Sequence, residues 1–386
     1  MNKRILNVIL AITLAGGLSL ANAANYSSFG PVGIRSLMLD PSNNGVALAE
    51  AGYGLYKSTD NGSSWTNIPF SKSITNITMN PNDGRSLLAQ AFSLSGGGIY
   101  KSADGGNSWT NTMLPTTSNS WQYSGFGYDA ANSNIVYTSI RQVSTGSNPD
   151  PIPANGASIY KSTDGGSSWS VLSSMGNNFS LNTLNNSGAD KSSITSLNGT
   201  IFAGNMKSVD GGNTWQGLSS DNWINSMFIK SYYIPSATEN LIFATTNGGV
   251  INSSDGGVTW SHSSLGSDQS NSIIRDNNNT SRYFVTGMGG RLYESTDNAK
   301  TWSIYAQLPT MIEYANLEMN SSGDSLYVLD GMVGSGGFKV SIAAVPEPET
   351  YSMFLMGLGL MGFVIRRRKL SLDNVTANAG GVLVVG

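Results

Sequence analysis

Six aspartates, Asp60, Asp104, Asp164, Asp210, Asp255 and Asp297, each stand third in a recurring octet. Runs of Asp, Asn and Gly invite Ca2+. A D-x-[DN]-x-[DN]-G loop, however, converges several oxygens on one ion, and each octet brings a single carboxylate. The other chemistry open to it is local: an Asp carboxylate folds onto backbone N–H groups just ahead, and Gly supplies the positive φ of a tight reversal. The octet therefore reads as a turn, and the sequence calls for no metal and no cofactor. One His, His262, and no Cys bound the rest. Multi-histidine metal sites, Cys-based zinc sites and Cys-His machinery lack their ligands or nucleophile, and a Ser-His-Asp triad has one imidazole to use. His262 itself, beside the fifth octet, reads as a solvated loop residue. Glycoside hydrolysis needs two carboxylates at a defined separation. Asp129, Asp221, Asp276 and Asp330 are expected toward one loop face, but no spacing singles out a pair, and no catalytic residue is assigned.

The elements that position these residues are many and short. Only 12% of the 386 residues are charged, against about 25% in ordinary globular chains, and 46 are glycine. The octets run Ser58-Thr59-Asp60-Asn61-Gly62-Ser63-Ser64-Trp65, then from Ser102 to Trp109, Ser162 to Trp169, Ser208 to Trp215, Ser253 to Trp260 and Ser295 to Trp302. Their serines are 44, 60, 46, 45 and 42 residues apart, the size of one four-stranded propeller blade. Upstream, Gly54-Leu55-Tyr56-Lys57, Gly98-Ile99-Tyr100-Lys101 and Ser158-Ile159-Tyr160-Lys161 alternate as half-buried strands. The octet is thus the turn of a hairpin. Trp65, Trp109, Trp169, Trp215, Trp260 and Trp302 open its next strand as fold anchors.

Other landmarks set the blade count. Leu37 to Pro41, Ile77 to Pro81 and Asn316 to Asn320 read as inner strands with their following turns; the last lies beyond the sixth octet. Ser325 to Leu329 and Gly337 to Ser341 follow it, making a seventh unit of three strands. Its missing outer strand has a candidate at the other end of the chain, because Tyr26 stands 15 residues before Pro41 much as Trp65 stands 16 before Pro81. The expectation is an all-β chain, a single seven-bladed β-propeller closed by its N-terminal segment, with six blades as the alternative. The 60-residue interval holds an insertion, Arg141 to Asn155, between second and third strands. That loop shares a face with the blade-to-blade linkers, and the octets occupy the opposite face. Two such linkers are expected to hold Trp121 with Tyr123, and Trp223, as ligand-binding aromatics or as plugs of blade junctions.

S-x-D-x-G-x-[ST]-W is matched in five octets and nearly in the sixth, which has Ala299 for Gly and is expected to be distorted. The chain thereby resembles the BNR or Asp-box repeat family, whose propellers include sortilin-like domains, sialidases, xyloglucanases and the photosystem II assembly factor type. The match spans most of residues 26–342. Sialidases in that family carry an arginine triad and an early Arg-Ile-Pro motif, whereas Arg35 lies in Gly33-Ile34-Arg35-Ser36. Xyloglucanase-like enzymes pair two propellers, and this chain has room for one.

The ends read as addresses. Lys3 and Arg4, the apolar run from Ile5 to Leu20 and Ala21-Asn22-Ala23 make residues 1–23 a signal peptide, leaving 24–342 as the propeller. Residues 343–350 carry the Pro346-Glu347-Pro348 box. Residues 351–369 combine a short hydrophobic helix, at roughly 22 Å brief for a transmembrane span, with Arg366, Arg367 and Arg368, which the positive-inside rule holds in the cytoplasm. This order resembles the PEP-CTERM sorting signal, which implies an exosortase as processing partner, a transient inner-membrane anchor and delivery to the cell surface or beyond. Residues 370–386 continue past the usual end of that family and are expected to be disordered.

Between the signals 15 Lys and Arg face 21 Asp and Glu, a net −6 that argues against binding a phosphate backbone, and no nucleic acid is expected as partner. The expected role is an exported, non-catalytic binding module for exopolysaccharide or an envelope protein. A secreted glycoside hydrolase and an assembly scaffold like the photosystem factor are the alternatives.

Overall fold

The computed structural model describes residues 26–342, apart from 93–97, 114–120, 143–156, 176–192, 309–314, 331–335 and positions 32, 44, 53, 264, 266 and 267. The signal peptide, most of the blade-3 insertion and the whole sorting segment therefore lie outside the described residues. Residues 343–386 are among those not described.

Seven four-stranded antiparallel sheets follow one another along the chain. Blade 1 runs Ile34–Leu39, Ala47–Ala51, Gly54–Ser58 and Thr66–Ile68, in spatial order from first strand to last. Blades 2 to 6 repeat that order, with first strands at Ser73–Asn80, Trp121–Tyr128, Ile194–Leu197, Ile229–Tyr233 and Ile273–Arg275. Blade 7 has Ala315–Met319, Ser325–Asp330 and Gly337–Ser341, and its fourth strand is Tyr26–Phe29 from the other end of the chain. Tyr26 pairs with Val340 and Phe29 with Gly337, so the expected seven-bladed ring closed by the N-terminal segment is the fold.

Packing explains why the ring holds without disulfides. A sheet with two apolar faces must cover both, and the buried clusters fall between successive blades. Met38 and Leu48 meet Ile74 and Ile77, Leu88 meets Phe126, Tyr137 meets Ile194, and Phe202 meets Tyr232. Phe243 then meets Tyr283, and Phe284 meets Leu317. Tyr327 and Leu329 finally meet Ile34 and Leu37, which returns the core to blade 1. Seven clusters thus serve seven interfaces, and the sheet edges that an open ring would expose are covered.

Chain direction fixes the two faces. The turns from first to second strand and from third to fourth lie at one end of each blade. Backbone bonds confirm it: Asn61 N–H donates to Gly45 O, Gly165 to Asn134 O, Gly256 to Asn240 O and Asn298 to Ser281 O. That end is the octet face. The second-to-third loops and the blade-to-blade linkers form the loop face.

Candidate loop-face site

The octet carboxylates make one geometry six times. In the first, Ser58 Oγ donates to Asp60 Oδ1 at 2.8 Å, Ser64 N–H donates to Oδ1 at 2.9 Å and Ser64 Oγ donates to Oδ2 at 2.6 Å. Gly62 N–H donates back to Ser58 Oγ at 2.8 Å. The same set recurs around Asp104, Asp164, Asp210, Asp255 and Asp297. Each carboxyl is held at about 2 against an ordinary 3.8. The hydroxyl at the seventh octet position is the largest cause for Asp60, Asp104, Asp210 and Asp297. For Asp164 and Asp255 slight burial acts the other way, and the hydrogen bonds together outweigh it. The indole N–H of Trp65, Trp109, Trp215 and Trp260 donates to the carbonyl of the fifth octet residue. Trp169 reaches Thr112 Oγ1 and Trp302 reaches Ser263 Oγ instead.

The sixth octet is not distorted. Asn298 and Ala299 take φ values of 63° and 61°, and Ala299 N–H still donates to Ser295 Oγ at 3.0 Å. Burial of the Ala299 methyl against blade 5 offsets the cost of a side chain in the left-handed region.

Two loop-face expectations and one linker placement need correction. Asp129 and Asp276 sit in turns after first strands, hence on the octet face. Asp129 accepts from Ala131 N–H, Asn132 N–H and Ser196 Oγ, and buried Asp276 pairs with Arg282 at 3.3 Å. Trp121 and Tyr123 belong to the inner strand of blade 3, opposite Gln142 and Ile140, rather than to a linker. Their side chains, like that of Asp330, fall outside the described residues.

Trp223 does lie on the loop face, in the linker from blade 4 to blade 5. There Asn222–Ser226 forms a single helical turn, α1, capped by Asp221, whose Oδ1 accepts from Trp223 N–H at 2.8 Å. Ile224 anchors the turn in the core, which leaves the Trp223 indole 50% exposed. His262, on the outer strand of blade 5 rather than in a loop, stands edge-on to that indole with ring centroids 5.0 Å apart. Its Nε2 meets Gly248 O at 2.8 Å, which ties the pair to the second-to-third loop of blade 5.

The described carboxylates of this face are already engaged. Asp221 caps α1, Glu50 pairs with Arg35, and Asp268 accepts from Tyr293 and pairs with Arg291 at 3.2 Å. Lys230 differs from these cations. It is the extra residue of a β-bulge between Ile229 and Ser231, and its Nζ donates to Gln269 Oε1 at 3.1 Å and Asn271 Oδ1 at 2.7 Å. Burial lowers its pKa to about 8. Nothing repetitive marks Lys230 in the sequence; its bulge counterparts in blades 1 and 2 are Arg35 and Thr75.

Two cavities lie away from this face. One of about 350 Å³ occupies the octet end of the central channel, among Met38, Met79, Tyr128, Tyr233 and Glu318. Another of about 410 Å³ lies between the first two octets, beside Lys57, Ser64, Asn67 and Asn107. Among the described residues no three His, Asp or Glu side chains converge on one point, and no helix is long and apolar enough to cross a membrane.

Fold and repeat together define the class, a BNR-like seven-bladed propeller. Residues 53–200 match the Sortilin-Vps10 family, described as sortilin, neurotensin receptor 3. Residues 344–369 match the PEP-CTERM protein-sorting motif, which implies export, membrane passage and processing by an exosortase. Both resemblances read from the sequence are thus borne out. No curated protein matches the chain. Among solved structures it is similar to YCF48 bound to D1 peptide, at 13% identity and a TM-score of 0.52, covering 84% of this chain and 98% of that one. YCF48 from Cyanidioschyzon merolae gives 16% identity and 0.52, covering 83% and 99%. The GH74 xyloglucanase from Xanthomonas campestris gives 12% and 0.56, covering 85% of this chain but 55% of that one. Likeness at these identities concerns the fold.

Proposed function

We propose that this exported propeller is a non-catalytic binding module that holds polysaccharide on its loop face once sorted to the cell surface or matrix. The observation that carries the reading is Trp223, a half-exposed indole on a capped turn, braced by His262. A flat aromatic held that way stacks on a sugar ring with little loss of side-chain freedom. Amides and hydroxyls of the same face, Ser226 beside the indole and Asn247 and Gln269 in neighbouring loops, suit sugar hydroxyls. The octet aspartates serve as turn formers and the six tryptophans as blade anchors, so the repeat builds the ring and the unrepeated residues bind.

The engagement of Asp221, Glu50 and Asp268 in caps and ion pairs favours binding over hydrolysis, because a hydrolase needs one carboxyl free to protonate and another free to attack or to activate water. A panel of soluble polysaccharides tests this by affinity electrophoresis and by reducing-end release. Retardation without new reducing ends, at least tenfold weaker in Trp223→Ala, is the expected result. Release of reducing ends would establish the glycoside hydrolase instead, and no retardation by any polymer would remove the carbohydrate reading.

A further inference from the structure

The half-buried and buried arginines of the described residues are matched to carboxylates. Arg35 pairs with Glu50, Arg275 with Glu239, Arg282 with Asp276 and Glu294, and Arg291 with Asp268. Lys230 breaks this rule. Its two acceptors are neutral amide oxygens, and an ammonium has three N–H donors. A charge drawn partly out of water without a counter-charge is costly, and an arriving anion would offset that cost.

Position sharpens the point. The bulges at Arg35, Thr75 and Lys230 all fall at the loop end of an inner strand, where the strands ring the channel mouth. Just inside them is a belt of buried polar side chains whose needs are only partly met. Among the described residues Ser36 Oγ, Gln90 Oε1, Ser193 Oγ and both polar atoms of Asn316 have no hydrogen-bond partner, and their residues are at most 2% exposed. Ser231 Oγ, by contrast, donates to Asn271 O across the blade 5–6 junction. Gln269 and Asn271, which hold Lys230, come from the linker into blade 6, so the ammonium faces the same side as Trp223, seven residues upstream.

We infer that Lys230, with Gln269 and Asn271, forms a carboxylate-recognition subsite at the channel mouth, and that the polysaccharide held by Trp223 is acidic, a uronate-bearing chain. This rests on the carbohydrate reading above and narrows it. The ammonium meets a uronate carboxylate through its remaining N–H while the indole stacks on another ring of the same polymer, since Lys230 stands on the inner strand of blade 5 and Trp223 lies against His262 on the outer one. Gln269 and Asn271 hold Nζ toward the mouth, a positioning role that a neutral side chain at residue 230 cannot use.

The test compares polygalacturonate with its methyl ester, which shares the backbone and replaces each carboxylate by a neutral ester, and with dextran. Wild type should bind polygalacturonate at least tenfold more tightly than the ester. Lys230→Met, compared at a temperature where it stays folded, should bind acid and ester about equally, and Lys230→Arg should restore most of the preference for the acid. Equal affinity of wild type for acid and ester, or an undiminished preference in Lys230→Met, overturns the subsite. Trp223-dependent binding of ester or dextran would in that case leave the carbohydrate reading standing. Failure of all three polymers to bind overturns the subsite, and the polysaccharide panel above then decides the carbohydrate reading.

Discussion

At the residue scale, each octet aspartate works through hydrogen bonds accepted on both carboxylate oxygens, a set that its ionised form accepts best. Protonation turns one oxygen into an O–H donor and weakens the other as an acceptor, and the unfolded chain protonates near 3.8 while the folded turns hold out to about 2. A depressed carboxyl contributes stability that is present above the unfolded value and is lost as pH falls through the folded one. The melting temperature should therefore be flat near neutrality from this source and fall steeply between about pH 4 and pH 2. Differential scanning fluorimetry across that range checks it; a transition unchanged down to pH 2 would mean the turns do not depend on the charge. Because the carboxylates lie at the surface, Asp255→Ala should cost only a few degrees in melting temperature, and pairs of octet substitutions in separate blades should add.

At the element scale the octet is a junction as well as a turn. A Cβ on Gly257 would stand 2.4 Å from the Phe202 ring of blade 4, and one on Gly62 would stand 2.1 Å from Phe29. At Gly106 the nearest neighbours, Ile68 and Leu55 of blade 1, are 3.4 Å away. Gly257 and Gly106 share nearly the same backbone, φ 87° and 92°, so the cost of a left-handed alanine is common to both. The difference between Gly257→Ala and Gly106→Ala then isolates the steric clash. Urea unfolding should show the former less stable by about 1–3 kcal/mol, and equal losses would mean the blades slide apart freely. The residue before the octet adds a second tie: Lys101 Nζ donates to Ser167 Oγ at 2.8 Å in the next octet, and Lys207 Nζ to Gly257 O at 2.5 Å. This much was half legible in the sequence. The Asp, Gly and Trp spacing announces a hairpin, because local backbone needs repeat identically in every blade. The partner that each octet docks on differs from blade to blade, Phe29, Leu88, Leu172 or Phe202, and leaves no repeated mark. The same reason hid Lys230 and misplaced Asp129 and Asp276, since which face a lone carboxylate occupies depends on strand direction rather than on its neighbours. Trp223 was legible as an unrepeated aromatic, but its pairing with His262 depends on α1, a single turn too short to show helical periodicity.

At the scale of the whole molecule, closure depends on four residues. Tyr26–Phe29 covers the edge of Gly337–Ser341, and Phe29, 8% exposed, contacts Tyr327 at 4.5 Å and Trp65 at 5.7 Å between centroids. Phe29→Ala should cost about 3–5 kcal/mol, as for a large core aromatic, whereas Tyr26→Ala, at a ring 45% exposed, should cost far less. Registers show what kind of seam this is. Ser341 pairs with Ser325 as the octet serine Ser58 pairs with Ala47, and Val340 pairs with Tyr26 as Lys57 pairs with Thr66. Blade 7 is thus an octet blade cut at its turn, with the chain entering and leaving at the octet face and the loop-face residues at the far end. Moving Tyr26–Phe29 to follow Ser341 through a transplanted turn, Thr163 to Trp169, should rebuild an unbroken seventh blade. The rearranged chain should unfold in one transition and keep the Trp223-dependent binding, since that surface lies opposite the new join. Two transitions, or exposure of the Gly337–Ser341 edge to protease, would show that the strand closes the ring only as a separate N-terminal segment.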